Sequence, residues 1–382
     1  MHILEIPSFF TPYGGEFCLE QAKALKALGH EVRILSNVQL GITIGLKDYL
    51  LLPYRRDEYQ CDGITICRSF QRGVPRMIHH NMMRWVTIVE SMFRDYVRCY
   101  GKPDIIHVHC AKWAGYAAMK ISQKHQIPYV ITEHLPKMML SEEFGEDAEK
   151  AWQVPLLREA YEAADMVVPV SEELVEDISC FFGTDYRWQF ISNTINTDFF
   201  HYQPRTSCEG RRFRFCCVAD NSYRKGYDVL IPAFRMLEEQ GCDAELKIAG
   251  RNTDTTRFRS LFSKGITSLG QLRQEQVRDL LYQSDALVLA SRSEVQPLVL
   301  LEAMSTGIPV ISTSCIPQNL RIEGGCTIVP TDDVEALSAA MKQVMEKPFN
   351  DGLKLSEQVK AMASPKAVGE KLEMLFRNIL SA

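Results

Sequence analysis

Short apolar runs alternate with longer stretches of helical spacing along the whole chain, and this alternation limits its fold more than any other feature. The runs in the first half are His2–Ile6, Glu31–Ser36, Ile64–Arg68, Ile105–Val108, Tyr129–Thr132, Met166–Val170 and Gln189–Ile191. Those in the second half are Phe213–Val218, Glu245–Ala249, Ile266–Leu269, Ala286–Leu289, Val310–Thr313 and Cys326–Val329. Several are apolar at successive positions, as strands buried on both faces are. Helical stretches such as Phe17–Leu28, Gln274–Gln283 and Val334–Glu346 fill the gaps. Strands that alternate with helices form parallel, doubly wound α/β sheets. The runs are too many for one such sheet, so two domains are expected, and 382 residues suffice for both. The hinge is expected within Thr197–Arg212, which holds Pro204, Gly210 and several polar residues.

Two segments interrupt the pattern. Gly41–Gln60 is irregular and mixes apolar with basic residues. Arg68–Tyr100 is helical in pattern and carries Arg68, Arg72, Arg76, Arg84, Arg94 and Arg98. Its apolar side is Met82, Met83, Trp85, Val86, Val89, Met92, Phe93 and Tyr96. A core helix whose arginines keep their heads in water accounts for it. The alternative is a surface that touches anionic lipid or a lipid-linked substrate.

Composition excludes several classes. A formal charge of −5 and a sequence pI of about 6.0 give no basic field, so no nucleic-acid partner is expected. Twelve cysteines occur without a Cys-x-x-Cys pair, and Cys216-Cys217 lies inside an apolar run. Buried thiols in a reducing compartment explain them better than disulfides or zinc. The start, Met1–Ile6, has no basic leader and no long apolar core, so no signal peptide is expected. No apolar run reaches the roughly 18 residues of a membrane span. The expected location is the cytoplasm, with the inner membrane face as a place for peripheral contact.

One segment carries candidate chemistry. Ala286–Ala290 reads as a buried strand, and Leu298, Leu301, Ala303 and Met304 recur at helical spacing after it. Pro297 suits a helix's first turn, where its missing N–H is not needed. Glu294 then sits on the loop at the strand's carboxyl end, and Glu302 about a turn and a half into the helix. Free N–H groups from Gln296 to Val299 would face the crevice where open α/β sheets bind ligands, at a helix start that favours phosphate. Read alone, the two acids are a solvated face or a capping arrangement.

Other pieces line up in order. They are Pro12-Tyr13-Gly14-Gly15-Glu16, Gly29-His30-Glu31-Val32 and Pro103-Asp104-Ile105-Ile106-His107-Val108-His109. Thr132-Glu133-His134, Ala164–Ser171, Asn193–Phe200 and Arg224-Lys225-Gly226 follow, and then the Glu294 to Glu302 segment with its continuation to Val310. In these motifs, almost end to end, the chain resembles glycosyltransferase family 4. Those are retaining, nucleotide-sugar-dependent enzymes whose GT-B fold sets two Rossmann-like doubly wound domains facing a cleft. The resemblance implies an acceptor-side domain over residues 1–200, a donor-side domain over 201–364, and a C-terminal helix, 365–382, returning to the first domain.

It also implies roles. Glu294 would address the donor sugar and Glu302 the ribose, with His134 near the sugar or the acceptor hydroxyl. Glu294 and His134 are then the catalytic candidates. Gly14, Gly15, Arg224, Lys225, Arg251, Gly270, Gln296, Pro297, Leu298, Val299 and Glu302 make up the donor-binding set. The leaving diphosphate needs a charge sink. Glycine lets backbone approach phosphate, and lysine and arginine supply fixed charge. No Asp-x-Asp and no local metal-ligand spacing occurs, so neither metal nor cofactor is expected. The expected partners are a nucleotide-sugar donor, UDP-linked, and a cell-surface glycan or lipid-linked acceptor. Three departures stand out. Asp220 replaces an arginine often found five residues before the lysine, Val295 replaces glycine, and Asn193-Thr194 replaces Asn-Gly. A nucleotide-sugar epimerase on the same fold and a non-catalytic binding module are the alternatives. A dehydrogenase is disfavoured because no G-x-G-x-x-G opens a helix.

Overall fold

A computed structural model describes residues 1–10, 15–42, 46–51, 56–145, 147, 150–204, 210–347 and 349–382. Gly14 and part of the expected hinge, 205–209, lie outside the described residues. The chain forms two compact units, Met1–Thr194 with Pro365–Ala382, and Ile195–Ser364.

The first unit holds β1 (His2–Pro7), β2 (Glu31–Leu40), β3 (Arg56–Cys61), β4 (Ile64–Arg72), β5 (Ile105–His109), β6 (Tyr129–Glu133) and β7 (Met166–Pro169). They form one sheet in the order β3-β4-β2-β1-β5-β6-β7. Only β3 is antiparallel to its neighbour. Helix α1 (Glu16–Ala27) follows β1, and α2 (Ile78–Tyr100) follows β4. In α2, Met82, Trp85, Val86, Val89, Met92, Phe93 and Tyr96 are buried, whereas Arg94 and Arg98, like Arg76 just before the helix, are exposed. The core-helix reading therefore describes the segment from Ile78 onward.

Three sequence expectations need correction here. Arg68–Arg72 continues β4 and is not helical, because it pairs with Ser36–Leu40 of β2. Arg56–Gln60, expected to be irregular, belongs to the strand Arg56–Cys61; it lies at the sheet edge, its residues alternate between exposed and partly buried, and it has no apolar run. Gln189–Ile191 is no strand, with only a single bridge between Val167 and Trp188 beside it.

The second unit holds β8 (Phe213–Val218), β9 (Ala244–Ala249), β10 (Ile266–Gly270), β11 (Ala286–Leu289), β12 (Val310–Thr313) and β13 (Cys326–Val329). These parallel strands run in the order β10-β9-β8-β11-β12-β13. Helices α3 (Tyr227–Glu239) and α4 (Leu298–Ser305) follow β8 and β11. Phe215, Leu246, Ile248, Leu287, Leu301 and Met304 lie in its core. The last helix, α5 (Pro365–Ser381), belongs to the first unit, where Val368, Leu372, Leu375 and Phe376 share a core with Cys18, Leu19 and Leu25 of α1.

The strand orders locate the places for ligands. In each sheet the winding reverses once, between β1 and β5 in the first unit and between β8 and β11 in the second. Loops that leave such a pair diverge, and the crevice between them opens at the strands' carboxyl ends.

Candidate active site

The loops after β8 and β11 carry a dense charge cluster. A short 3-10 turn, Tyr223–Lys225, ends at Gly226, whose φ is +64°. A Cβ on Gly226 would overlap the Ala290 carbonyl oxygen, so glycine is what lets the two loops touch. Gly226→Ala is expected to lower stability by at least about 1 kcal/mol, since alanine resists positive φ. It should also reduce transfer, because Lys225 must shift with it; melting curves and a transfer assay on one preparation check both.

Glu294 lies at the centre of this cluster. Its Oε1 accepts from Lys225 Nζ at 2.6 Å and from Ser291 Oγ at 2.7 Å. Its Oε2 accepts from Arg224 Nη1 at 3.0 Å, and the same nitrogen donates to the Ser293 carbonyl at 2.9 Å. The Glu294 side chain is only 5% exposed. Burial opposes its ionisation, but Lys225 and then Arg224 outweigh it and hold the carboxyl below its usual range. Two cations against one anion leave a positive balance at the mouth of the crevice.

A residue not anticipated from sequence joins the loops. Arg292 donates to the Tyr223 carbonyl at 2.6 Å, pairs with Asp228 and Asp332 at 2.7 Å each, and lies 4.0 Å over the Tyr223 ring. Its partners are scattered in sequence, so only an arginine just beyond a strand end hinted at it.

Val295 and Gln296 are buried. Pro297 caps α4 from one position before the helix, so the N–H groups of Leu298 and Val299 are the first of the helix and lack intrahelical partners. Glu302, in α4, is half-buried, and its carboxylate meets no donor among the described residues. Burial alone pushes it up to about 7.

Asp220 is no stray negative charge. It accepts from the Arg251 main-chain N–H at 2.9 Å and from the guanidinium at 2.6 and 2.8 Å. Burial acts against its charge, and Arg251 outweighs it. Both line a cavity of about 550 Å³ with Asn221, Ser222, Asn252 and Gln271. Gly270 ends β10 at φ +68°, where a Cβ would stand 3.2 Å from Asp254 Oδ2.

In the first unit, Gly15 has φ +83° and precedes α1, and a Cβ there would overlap the Phe9 carbonyl oxygen. His134 follows β6. Its N–H and that of Leu135 are held by Glu133 Oε1 at 2.9 and 3.0 Å. Glu133 Oε2 takes the Ala111 N–H at 3.0 Å and the Tyr161 hydroxyl at 2.6 Å. This buried acid, the middle residue of Thr132-Glu133-His134, therefore fixes the two loops around His134. The His134 ring stacks on Phe17 at 3.7 Å. Burial, and behind it His109, hold its pKa well below the usual imidazole range. A cavity of about 400 Å³ opens beyond β1, β2, β5 and β6, lined by Phe9, Phe10, Lys112, Trp113, Leu135 and Met139. The structure thus gathers Glu294, Arg224 and Lys225 in one cluster and pairs Arg251 with Asp220, while His134 and Gly15 belong to the other unit.

Residues 14–199 match the family model described as "Glycosyltransferase Family 4", and residues 212–347 match that of "Glycosyl transferases group 1". The chain is a glycosyltransferase of the GT-B fold. The "Putative teichuronic acid biosynthesis glycosyltransferase TuaC" of Bacillus subtilis is 28% identical over 322 residues, covering 80% of this chain and 78% of that protein. Sucrose-phosphate synthase from Thermosynechococcus elongatus superposes with a TM-score of 0.78 at 18% identity, over 100% of both chains. Anabaena Alr3699/HepE in complex with UDP-glucose gives 0.68 at 14% identity, over 99% of this chain and 100% of that one. The Glu294 cluster of this glycosyltransferase lies in the second matched segment and His134 in the first.

Proposed function

We propose that this glycosyltransferase moves a hexose from a UDP-linked sugar, with retention of configuration, to a growing cell-surface glycan or a lipid-linked sugar. The observation that carries this reading is buried Glu294, bonded to Lys225 and Arg224 at the switch point of the second unit. A glycosyl transfer separates charge between an oxocarbenium-like sugar and a leaving diphosphate. Arg224, Lys225 and the first N–H groups of α4 supply the positive side, so no metal is required. Arg251, brought close by Asp220, adds a further cation beside the cavity at β8–β10. Glu294 supplies the negative side against the sugar, and Glu302 accepts from the ribose hydroxyls. Gln296, Pro297, Leu298, Val299, Gly15 and Gly270 shape the donor site through backbone, with Gly14 beside Gly15 in sequence.

In this reading the second unit holds the donor and the first the acceptor, with His134 near the transferred hydroxyl. Retention follows if acceptor and leaving group share one face of the sugar within an ion pair. The UDP-glucose complex of a protein of the same fold favours the donor class, and the teichuronic acid name of a relative favours the acceptor class. Among the described residues no helix is long and apolar enough to cross a membrane; a lipid-linked acceptor would bring the enzyme to an anionic membrane surface from outside it.

A thermal-shift panel of nucleotide sugars tests the donor. A ligand at 100 times its Kd adds about 2.7 kcal/mol of stability. UDP-sugars should raise the melting temperature, and GDP-mannose should not. A panel without any shift, or a UDP-sugar epimerised with no acceptor present, would replace this reading.

A further inference from the structure

Glu5 on β1 and His107 and His109 on β5 lie together at the switch point of the first unit, and the transfer chemistry above uses none of them. Their side chains are 0%, 0% and 1% exposed. Glu5 Oε2 stands 2.9 Å from His107 Nδ1 and 2.8 Å from His109 Nε2. On its far side His107 Nε2 meets Thr132 Oγ1 at 2.7 Å. On its far side His109 Nδ1 meets His134 Nε2 at 3.2 Å. The remaining ring nitrogen, His134 Nδ1, is buried and has no partner at hydrogen-bond geometry among the described residues, while the Asn193 side chain interacts with the ring.

The direction of these bonds follows from one end. Burial would raise Glu5, but His107 and His109 outweigh it and hold the carboxyl at about 2, so Glu5 is a carboxylate. A carboxylate only accepts, so His109 presents its N–H at Nε2. Burial, with His107 behind it, lowers His109 to about 4. The His109 ring is therefore neutral near pH 7, and its Nδ1 carries a lone pair. His134 must then place its proton on Nε2 to complete the contact.

We propose that Glu5 and His109 are positioning residues that fix His134 as the Nε2–H tautomer and leave Nδ1 as an acceptor for a hydroxyl. The tautomer stands on the hydrogen-bond geometry together with the charge of Glu5; its consequence for transfer rests on the role given to His134 above. An unpaired buried acceptor is costly to keep, and a hydroxyl donated to Nδ1 removes that cost. Phe17, stacked on the ring, limits rotation that would scramble the arrangement.

Glu5, His107 and His109 are also the group among the described residues that could offer three ligands to a metal ion. The 2.8 and 2.9 Å separations are those of hydrogen bonds. Ligands about 2.0–2.1 Å from a tetrahedral zinc would stand roughly 3.3 Å apart.

The test uses the full-length protein labelled with 15N-histidine, with His134→Gln to assign the resonance. Long-range 1H–15N spectra at neutral pH should show His134 with protonated Nε2 and bare Nδ1. His109→Phe should mix the tautomers and lower kcat at least about tenfold with donor KM unchanged. His109→Gln, whose amide can donate to Glu5 and accept from His134, should restore both. Glu5→Gln serves if His109→Phe fails to fold, and should loosen the preference in the same spectrum. A proton on Nδ1 in the wild type, a spectrum unmoved by His109→Phe, or stoichiometric metal on the purified protein overturns the assignment. Mixed tautomers with unchanged kcat overturn the positioning role in transfer. Absence of any transferase activity with the spectrum as expected counts against the proposed function and not against the tautomer.

Discussion

Glu294→Gln is expected to lower sugar transfer by roughly 10²–10³-fold, the usual scale for removing one electrostatic partner of a transition state, while leaving the fold intact. Glutamine keeps an oxygen for Ser291 Oγ and Lys225 Nζ, the two donors that Glu294 Oε1 now takes at 2.7 and 2.6 Å, but its amide nitrogen cannot accept from Arg224 Nη1. The cost in stability should therefore be about that of weakened charged hydrogen bonds, roughly 1–2 kcal/mol. Binding of UDP should behave differently from turnover. In the free protein Glu294 neutralises part of the charge on Arg224 and Lys225. Without it both cations are available to the diphosphate, so calorimetry should show UDP bound as tightly as by the wild type, or more tightly. Loss of kcat with retained UDP affinity would separate a sugar-facing acid from a merely structural one. Wild-type turnover with a verified donor and acceptor would sink the assignment.

The same cluster fixes a pH limit. Glu294 is depressed below its ordinary value, chiefly by Lys225 and Arg224 acting against burial. A depressed carboxyl stabilises the fold above the unfolded-state pKa, and that contribution is lost as pH falls through the folded value. The ion pairs therefore hold throughout the neutral range, and their loss belongs to acid unfolding.

The places of Glu294 on a loop and Glu302 in a helix were legible in sequence because they are local: a strand, a proline and a helix within one segment set both. The parallel strands were legible for the same reason, since burial on both faces writes itself as consecutive apolar residues. The edge strand Arg56–Cys61 was not, because an edge facing water needs no apolar run. Arg292 was missed because Tyr223, Asp228 and Asp332, which it joins, come from three separate segments. Asp220, which stands in sequence as a departure from arginine, is paired with Arg251. Arg251 is distant in sequence but adjacent across β8 and β9, where the Asn221 N–H donates to the Arg251 carbonyl at 2.9 Å. The His107-Val108-His109 pair is visible in sequence, but no spacing rule brings Glu5 to it. Their juxtaposition exists only because β1 and β5, far apart in the chain, are neighbours at the sheet's reversal.

Glu302 sets the second large effect, and here stability and binding pull in opposite directions. Burial raises its carboxyl to about 7, against about 4.3 in an unfolded chain. Between those values the folded state keeps a proton that the unfolded state has lost, so stability falls as pH rises through that window. Above pH 7 the deficit is complete, roughly 3–4 kcal/mol at 1.36 kcal/mol per unit. Glu302→Gln removes the ionisation and should melt at a higher temperature than the wild type at pH 8.5, with little difference at pH 5. Nucleotide binding reverses the preference. A carboxylate that accepts two ribose hydroxyls is stabilised in its charged form, so donor binding near pH 6.5 should expel a proton. UDP-glucose is the suitable probe, because its diphosphate has no proton to lose in that range. Calorimetry in buffers of different ionisation enthalpy should count a fractional proton released, and affinity should rise between pH 6 and pH 8. In Glu302→Gln the proton should vanish and affinity should fall by roughly 10- to 100-fold, the size of lost charged hydrogen bonds. A variant that melts higher yet binds UDP-glucose as the wild type does would place the ribose elsewhere and leave Glu302 as an unpaired acid with no partner in the reaction.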